Sequence, residues 1–277
     1  MIEQVKSLNK HNTYHTHTYR CKHASGEVID YCRAAKKAGM KYIGITDHTP
    51  LPDNRWIGVR MANTDLDDYH QAILDAQEQV DGIRIFKAME CDYAKEYLNY
   101  FQVELIEKRH FEYLIGAIHF IPDGNDWISS FGFKNGDEIL RYSDHFIEAI
   151  ESKLFYFMAH PEIFAIPFVK WSNEMQQATE NILSCAMQTG MPLELNAYGF
   201  RKPHHEFEDG HTLPTYPREE FWKTAQNYKI KTIINSDAHR PEDVGVGFDL
   251  AEEWVEKYQL ETIELSDYLL GKKEKDW

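Results

Sequence analysis

Seven short runs rich in β-branched and aromatic residues recur along the whole chain, each separated from the next by a longer run with amphipathic spacing. Alternation of this kind means repeated βα units, because parallel strands need long crossovers and a helix supplies one while covering a sheet face. Strands are expected at 13–17, 41–46, 83–90, 113–119, 155–160, 192–196 and 231–237. Helices are expected over 25–39, 64–81, 95–109, 137–152, 173–189, 217–228 and 249–258. In the first of these, Ser25 is placed to cap, Val28, Ile29, Cys32 and Ala35 recur at helical spacing, and Gly39 ends the run. Seven units fall one short of the regular eightfold barrel. The expected fold is therefore a distorted seven-stranded (β/α)7 TIM-like barrel in the α/β class, and 277 residues with no linker fit one domain over 1–277.

The strands are distinguished by how they end. NTYHTH closes on His15 and His17, KYIGITDH on Asp47 and His48, and IRIFKAME on Glu90. YLIGAIH closes on His119, FYFMAH on His160, and KTIINSDAH on Asp237 and His239. In a barrel these are the carboxyl ends, where active sites gather because loops there vary without disturbing the packed interior. Imidazoles and carboxylates converging from several strands are what a metal centre requires. His15 and His17 are two apart, so both project from one face of an extended strand, and Asp237 and His239 repeat that spacing. Neighbours on a strand face opposite sides. That makes His48 the ligand and Asp47 an acceptor that fixes an imidazole tautomer.

With His23 from the loop after the first strand, the donors are His15, His17, His23, His48, Glu90, His119, His160, Asp237 and His239. Nine are too many for one tetrahedral ion and suit two or three divalent ions, of which zinc, manganese and iron all accept this mixture. A single histidine ending an apolar strand is more often a hydrogen-bonded core residue; the joint placement of these argues for metal. His11, His70, His110, His145, His204, His205 and His211 lack that placement and are read as surface or loop residues.

Adjacent divalent ions generate hydroxide at neutral pH and hold the attacking and leaving oxygens of a phosphoryl displacement, so the cluster suits phosphoester hydrolysis. A formal charge of −15 argues against nucleic acid as a partner and leaves room for a small anionic substrate near the ions. The four cysteines have neither CxxC spacing nor the density of a disulfide scaffold and are read as reduced thiols, including Cys21 beside the metal motif. No apolar stretch reaches 18 residues and the first residues lack the features of a signal peptide, so a cytoplasmic protein with no membrane partner is expected. Segments 49–63, 120–136 and 197–216 are long connections at the active-site edge, expected to shape access. Arg55, Arg60 and Arg201 lie in them as candidate phosphate contacts, with Arg60 and Arg201 the preferred pair.

Taken in order, HTHTYRCKHASG, GITDH, AMECDY, GAIHF, MAHPE and NSDAH closely resemble the motifs of the polymerase and histidinol phosphatase (PHP) superfamily, and within it the histidinol-phosphate phosphatases. The resemblance runs from residue 15 to residue 239 and implies a trinuclear site. One ion would take His15, His17, Glu90 and Asp237, a second His23, His48 and His239, and a third Glu90, His119 and His160; none of the nine is substituted. The reaction implied is hydrolysis of L-histidinol phosphate to L-histidinol and inorganic phosphate in histidine biosynthesis, with metal-bound hydroxide attacking phosphorus. Glu162 and Asn196 are candidates for the ammonium or imidazole end of that substrate. The alternatives are a phosphoesterase of the same superfamily acting on another small phosphomonoester, a phosphotyrosine or a nucleic-acid 3′ end, and a metal-binding protein without turnover.

Overall fold

The computed structural model describes residues 11–206 and 212–277. Eleven strands are described among them: β1 (Tyr42–Ile45), β2 (Arg84–Asp92), β3 (Tyr113–Ala117), β4 (Phe120–Asp123), β5 (Asp126–Ser129), β6 (Phe157–Met158), β7 (Leu193–Asn196), β8 (His204–Glu206), β9 (Thr212–Pro214), β10 (Lys231–Asn235) and β11 (Glu261–Thr262). The α-helices are α1 (Val28–Lys37), α2 (Leu66–Gln79), α3 (Leu98–Tyr100), α4 (Gly136–Glu151), α5 (Asn173–Thr189), α6 (Glu219–Ala225), α7 (Phe248–Tyr258) and α8 (Leu265–Leu269). Seven parallel strands form one curled sheet in the order β1-β2-β3-β6-β7-β10-β11, as the βα alternation requires.

The seven are not quite the seven expected. Residues 13–17 form isolated parallel bridges, Thr13 with Ile43 and Thr16 with Ala238, instead of a regular strand, and β11 occupies the far edge of the sheet. The segment still spans from β1 to the end of β10: Gly44 N donates to Thr13 O at 2.9 Å, and His17 N to Ala238 O at 2.9 Å. Side chains complete its pairing, since Tyr14 N donates to Asn235 Oδ1 and Thr16 N to Thr46 Oγ1. The chain passes close enough to need glycine here. A Cβ at Gly44 would collide with the Tyr113 hydroxyl.

Helix starts follow capping chemistry. Asn135 and Glu138 form a reciprocal capping box at α4, whose buried Ile139, Tyr142, Phe146 and Ala149 lie in one core with Met175, Ala178, Ile182 and Ala186 of α5. At α1 the cap is Glu27, not Ser25, because Glu27 and Asp30 satisfy each other's backbone N–H groups. The helix expected over 95–109 is a 3₁₀ turn, then α3, then a π-helix over Phe101–Lys108. Two of the long connections contain hairpins, β4–β5 and β8–β9. No described helix is long and apolar enough to cross a membrane.

Alternation along the strands separates two environments. Outward residues such as Ile85, Met89, Leu114 and Leu195 pack in the core shared with the helices. Inward, Phe86 and Ala88, Tyr113, Ile115 and Ala117, Phe157 and Ala159, and Ile233 join Tyr14 and Leu265 in a separate apolar cluster at the amino-terminal end of the interior. The same inward faces continue toward the carboxyl end as Glu90 and Asp92, His119, and Asn235 and Asp237.

Candidate metal centre

Eight of the nine expected donors, His17, His23, His48, Glu90, His119, His160, Asp237 and His239, line one cavity of about 540 Å³ at the carboxyl ends of the strands. His15, the ninth, is fully buried just behind them, its Nε2 3.0 Å from His17 Nε2. Glu90 is central. Its Oε1 lies 3.1 Å from His160 Nε2, 3.5 Å from His15 Nε2 and 3.9 Å from His119 Nε2. Its Oε2 faces the other side, 2.7 Å from His48 Nδ1 and 3.4 Å from His17 Nε2. One carboxylate thus offers an oxygen to each half of the cluster. Asp237 Oδ1 lies 3.1 Å from His17 Nε2 and 3.5 Å from His239 Nδ1.

Five sets of ligand atoms lie close enough together to share an ion; three consist of expected donors alone, His15, His17 and Asp237; His17, His48 and His239; and His48, Glu90 and His119, and the other two include Cys21. Buried polar atoms without a well-formed hydrogen bond concentrate here, His17 Nδ1 and His160 Nδ1 with no partner and His48 Nδ1, Glu90 Oε2 and Asp237 Oδ1 near one but poorly aligned. Such atoms are costly unless something bonds them, and metal ions fit the donor set. His160 and Asp237 also hold positive φ angles of 29° and 43°, strain that concentrates where side chains must be aimed.

Protonation suits that role at His48, His23 and Glu90, while His15 is drawn toward the charged form, whose proton an ion would have to displace. Burial lowers His48 to about 3 and His23 to about 4, leaving both imidazoles neutral as ligation requires. Burial alone would raise Glu90, but His48, His15 and His119 outweigh it and hold the carboxylate well below its ordinary range. Burial likewise opposes the charged form of His15, yet Asp237, Glu194 and Glu90 together raise it.

Two orienting carboxylates escaped the sequence reading. Glu194 Oε1 lies 2.8 Å from His15 Nδ1, and its Oε2 accepts from His160 N at 3.1 Å. Asp92 Oδ1 lies 3.0 Å from His119 Nδ1. Each leaves the other ring nitrogen facing the cluster, which fixes ring orientation. Their signal was present: Asp92 is two residues after Glu90, hence on its face, and Glu194 is a lone charge inside an apolar strand.

Asp47, expected to fix an imidazole, instead accepts from Thr18 N at 2.8 Å and Thr18 Oγ1 at 2.5 Å; the His17 Nδ1 atom is 3.9 Å away, beyond a hydrogen bond. Cys21 is buried and its thiol is pushed up by burial, so it remains protonated, although it lies close to His23 and His239. All four cysteines are free thiols. His145 is buried in α4, not exposed, with Nε2 3.0 Å from Tyr93 O, and His211 lies outside the described residues.

Of the candidate substrate contacts, only Arg60 reaches the cavity wall. It is buried, held by Asp92 at 2.5 Å and by Thr49 O at 3.0 Å, with Nε unpartnered. Arg55 is turned to Asp53 and Glu96, and Arg201 to Asp243 and Ser236 O. Glu162 accepts from Trp222 Nε1 and Arg218 N, and burial raises it to about 7. Asn196 donates to Glu194 and Asp237, so it positions a donor. Lys202 is the lining cation the sequence reading passed over.

A family model described as the PHP domain matches residues 13–198. Among curated proteins, the chain is 27% identical over 249 residues to a Deinococcus radiodurans protein named "Probable histidinol-phosphatase", covering 84% of this chain and 88% of that one. It is 24% identical over 266 residues to the histidinol-phosphatase of Bacillus subtilis, covering 85% and 96%. A crystal structure of histidinol phosphate phosphatase from Lactococcus lactis, complexed with zinc, L-histidinol and phosphate, superposes with a TM-score of 0.70 at 18% identity, covering 92% of this chain and 95% of that one. With seven of the nine donors inside the matched span and the other two converging on them in space, the chain belongs to the PHP domain family.

Proposed function

We propose that this protein is a metal-dependent phosphomonoesterase that hydrolyses L-histidinol phosphate to L-histidinol and inorganic phosphate, a cytoplasmic step of histidine biosynthesis. The convergence of eight nitrogen and oxygen donors on the floor of one open cavity, with His15 buried directly behind them, carries the reading. The names of the relatives support the substrate, and the zinc in the Lactococcus lactis structure supports zinc among the two or three ions the donors can hold. Bound there, divalent ions would supply an attacking hydroxide at neutral pH and offset charge on the phosphoryl oxygens. The protein's own part is to hold the donors: Glu90 between the two halves of the cluster, Glu194 and Asp92 behind His15 and His119, and Asn196 beside Asp237. Arg60, which lines the cavity and is fixed by Asp92, is the arginine we assign to a phosphoryl oxygen.

One observation favours a second reading, another small phosphomonoester as substrate. Among the described residues, the carboxylates lining the cavity are Glu90 and Asp237, both in the donor cluster, so no spare one faces a substrate ammonium. Phosphate release from histidinol phosphate, other phosphomonoesters and short single-stranded DNA, with and without chelator, separates these readings. The first predicts the largest specificity constant for histidinol phosphate and loss of activity with chelator. A larger constant for another ester overturns the substrate assignment; chelator-resistant turnover overturns the metal.

A further inference from the structure

The cavity has two unlike halves. Its floor is the donor cluster, and one wall is apolar, built from Val59, Phe120, Phe131, Ile163 and Ile166. Phe131 and Val59 are its two exposed members, and Phe131 is the aromatic one. It is 50% exposed, a large aromatic left half in water at the mouth of a cavity, which is where a ligand recovers the cost of exposure.

The backbone holds it there. After β5, a 3₁₀ turn over Ser130–Gly132 is tied to a metal-site residue: Ser130 N and Ser130 Oγ both donate to His119 O, at 2.9 and 3.1 Å. The Phe131 ring then lies nearly parallel to the His119 imidazole, 5.9 Å between centroids and 16° between planes. His119 itself is fixed by Asp92 through both its backbone N–H and its Nδ1. The exposed ring is thereby set at a fixed offset from the donors. A phosphoryl group on the floor would leave its alcohol half against this wall.

We propose that Phe131 is a specificity-determining residue: its exposed face packs on a ring carried by the leaving alcohol, so ring-bearing phosphomonoesters are selected over aliphatic ones of similar size. The proposal rests on the phosphomonoesterase reading and extends it from the phosphate to the alcohol. The test compares wild type with Phe131→Ala and Phe131→Leu, each metal-loaded, on histidinol phosphate, phenyl phosphate and glycerol phosphate. Phe131→Ala should lower the ratio of ring to aliphatic specificity constants about tenfold, chiefly through KM, with Phe131→Leu intermediate. Metal content and melting temperature should stay at wild-type values. An equal loss on all three esters, or no change in the ratio, overturns the proposal.

Binding of phenylphosphonate and methylphosphonate, which cannot be hydrolysed, reads the same preference without turnover. Tighter binding of phenylphosphonate that is lost in Phe131→Ala upholds the ring contact even if no ester is cleaved. Failure of the phosphatase reading would thus be seen separately from failure of this one. Equal affinity of wild type for the two phosphonates overturns it.

Discussion

The two ends of the sheet interior are built from the same strands and differ in almost every physical respect. At the amino-terminal end, Phe86, Tyr113, Ile115 and Phe157 fill the space, and the phenol of Tyr113 donates to Tyr14 O at 2.7 Å. At the carboxyl end, four to six residues further along the same faces, the inward positions are Glu90, Asp92, His119 and Asp237, with several buried polar atoms lacking a well-formed bond. The first end is complete as a packed core. The second is incomplete without something that bonds nitrogen and oxygen, and one set of strands can carry both because the rigid plug below fixes where the donors above converge.

The contrast breaks hardest at Glu90. Glu90→Gln removes the charge shared by both halves of the cluster, and phosphate release should fall on the order of 10³-fold, since bound ions supply several kcal/mol of charge stabilisation. Elemental analysis should show fewer ions per chain. Wild-type metal content together with wild-type rate would remove Glu90 from the site.

At the other end, Phe157→Ala should cost about 3 to 4 kcal/mol of stability in chemical denaturation while metal stoichiometry in the folded protein is kept. If metal is lost at denaturant concentrations where the fold persists, the two ends are not separable. Glu194→Gln should have a smaller effect, an expected 10- to 100-fold loss of metal affinity, because it loosens His15 without deleting a ligand. Titration with zinc against a competing chelator measures it; unchanged affinity would reduce Glu194 to a folding role.

Much of this division was legible in the sequence because alternation and strand ends are local signals. His15, His17, His48, Glu90, His119, His160, Asp237 and His239 stand out as polar residues terminating apolar runs, and the structure brings them together with His23. What was not legible depends on neighbours distant in the chain. Glu194 stands out locally as a lone charge in an apolar strand, but its partner His15 is 179 residues away and nothing near either one announces the pairing. Arg55 and Arg201 were read from their presence in loops, but a guanidinium goes to the nearest carboxylate or carbonyl, here Asp53, Glu96, Asp243 and Ser236 O. The missing first strand has the same cause: 13–17 has strand composition, yet it must pair with both β1 and the end of β10, and side-chain bonds from Asn235 and Thr46 replace part of the regular ladder.

The smallest predicted effect concerns His145, the buried histidine outside the donor cluster among the described residues. Its surroundings are Tyr93, whose carbonyl bonds Nε2, Trp127 packed across the ring, Glu148 on the same helix and the more distant Asp92. Burial lowers its pKa below the ordinary 6.5, and the weaker pull of Tyr93 O, Glu148 and Asp92 does not restore it. A histidine depressed in the fold is neutral there and takes up a proton on unfolding. Its contribution is therefore present above pH 6.5 and lost as pH falls below that value. Other groups contribute equally to wild type and to a variant that spares them, so the difference between the two isolates His145. The stability difference between wild type and His145→Gln, measured by denaturation, should be larger at neutral pH than at mildly acid pH, with wild type losing its advantage as the medium acidifies. A difference that is constant with pH would mean that His145 keeps the same protonation when the chain unfolds, and would overturn its part in the acid sensitivity of the fold.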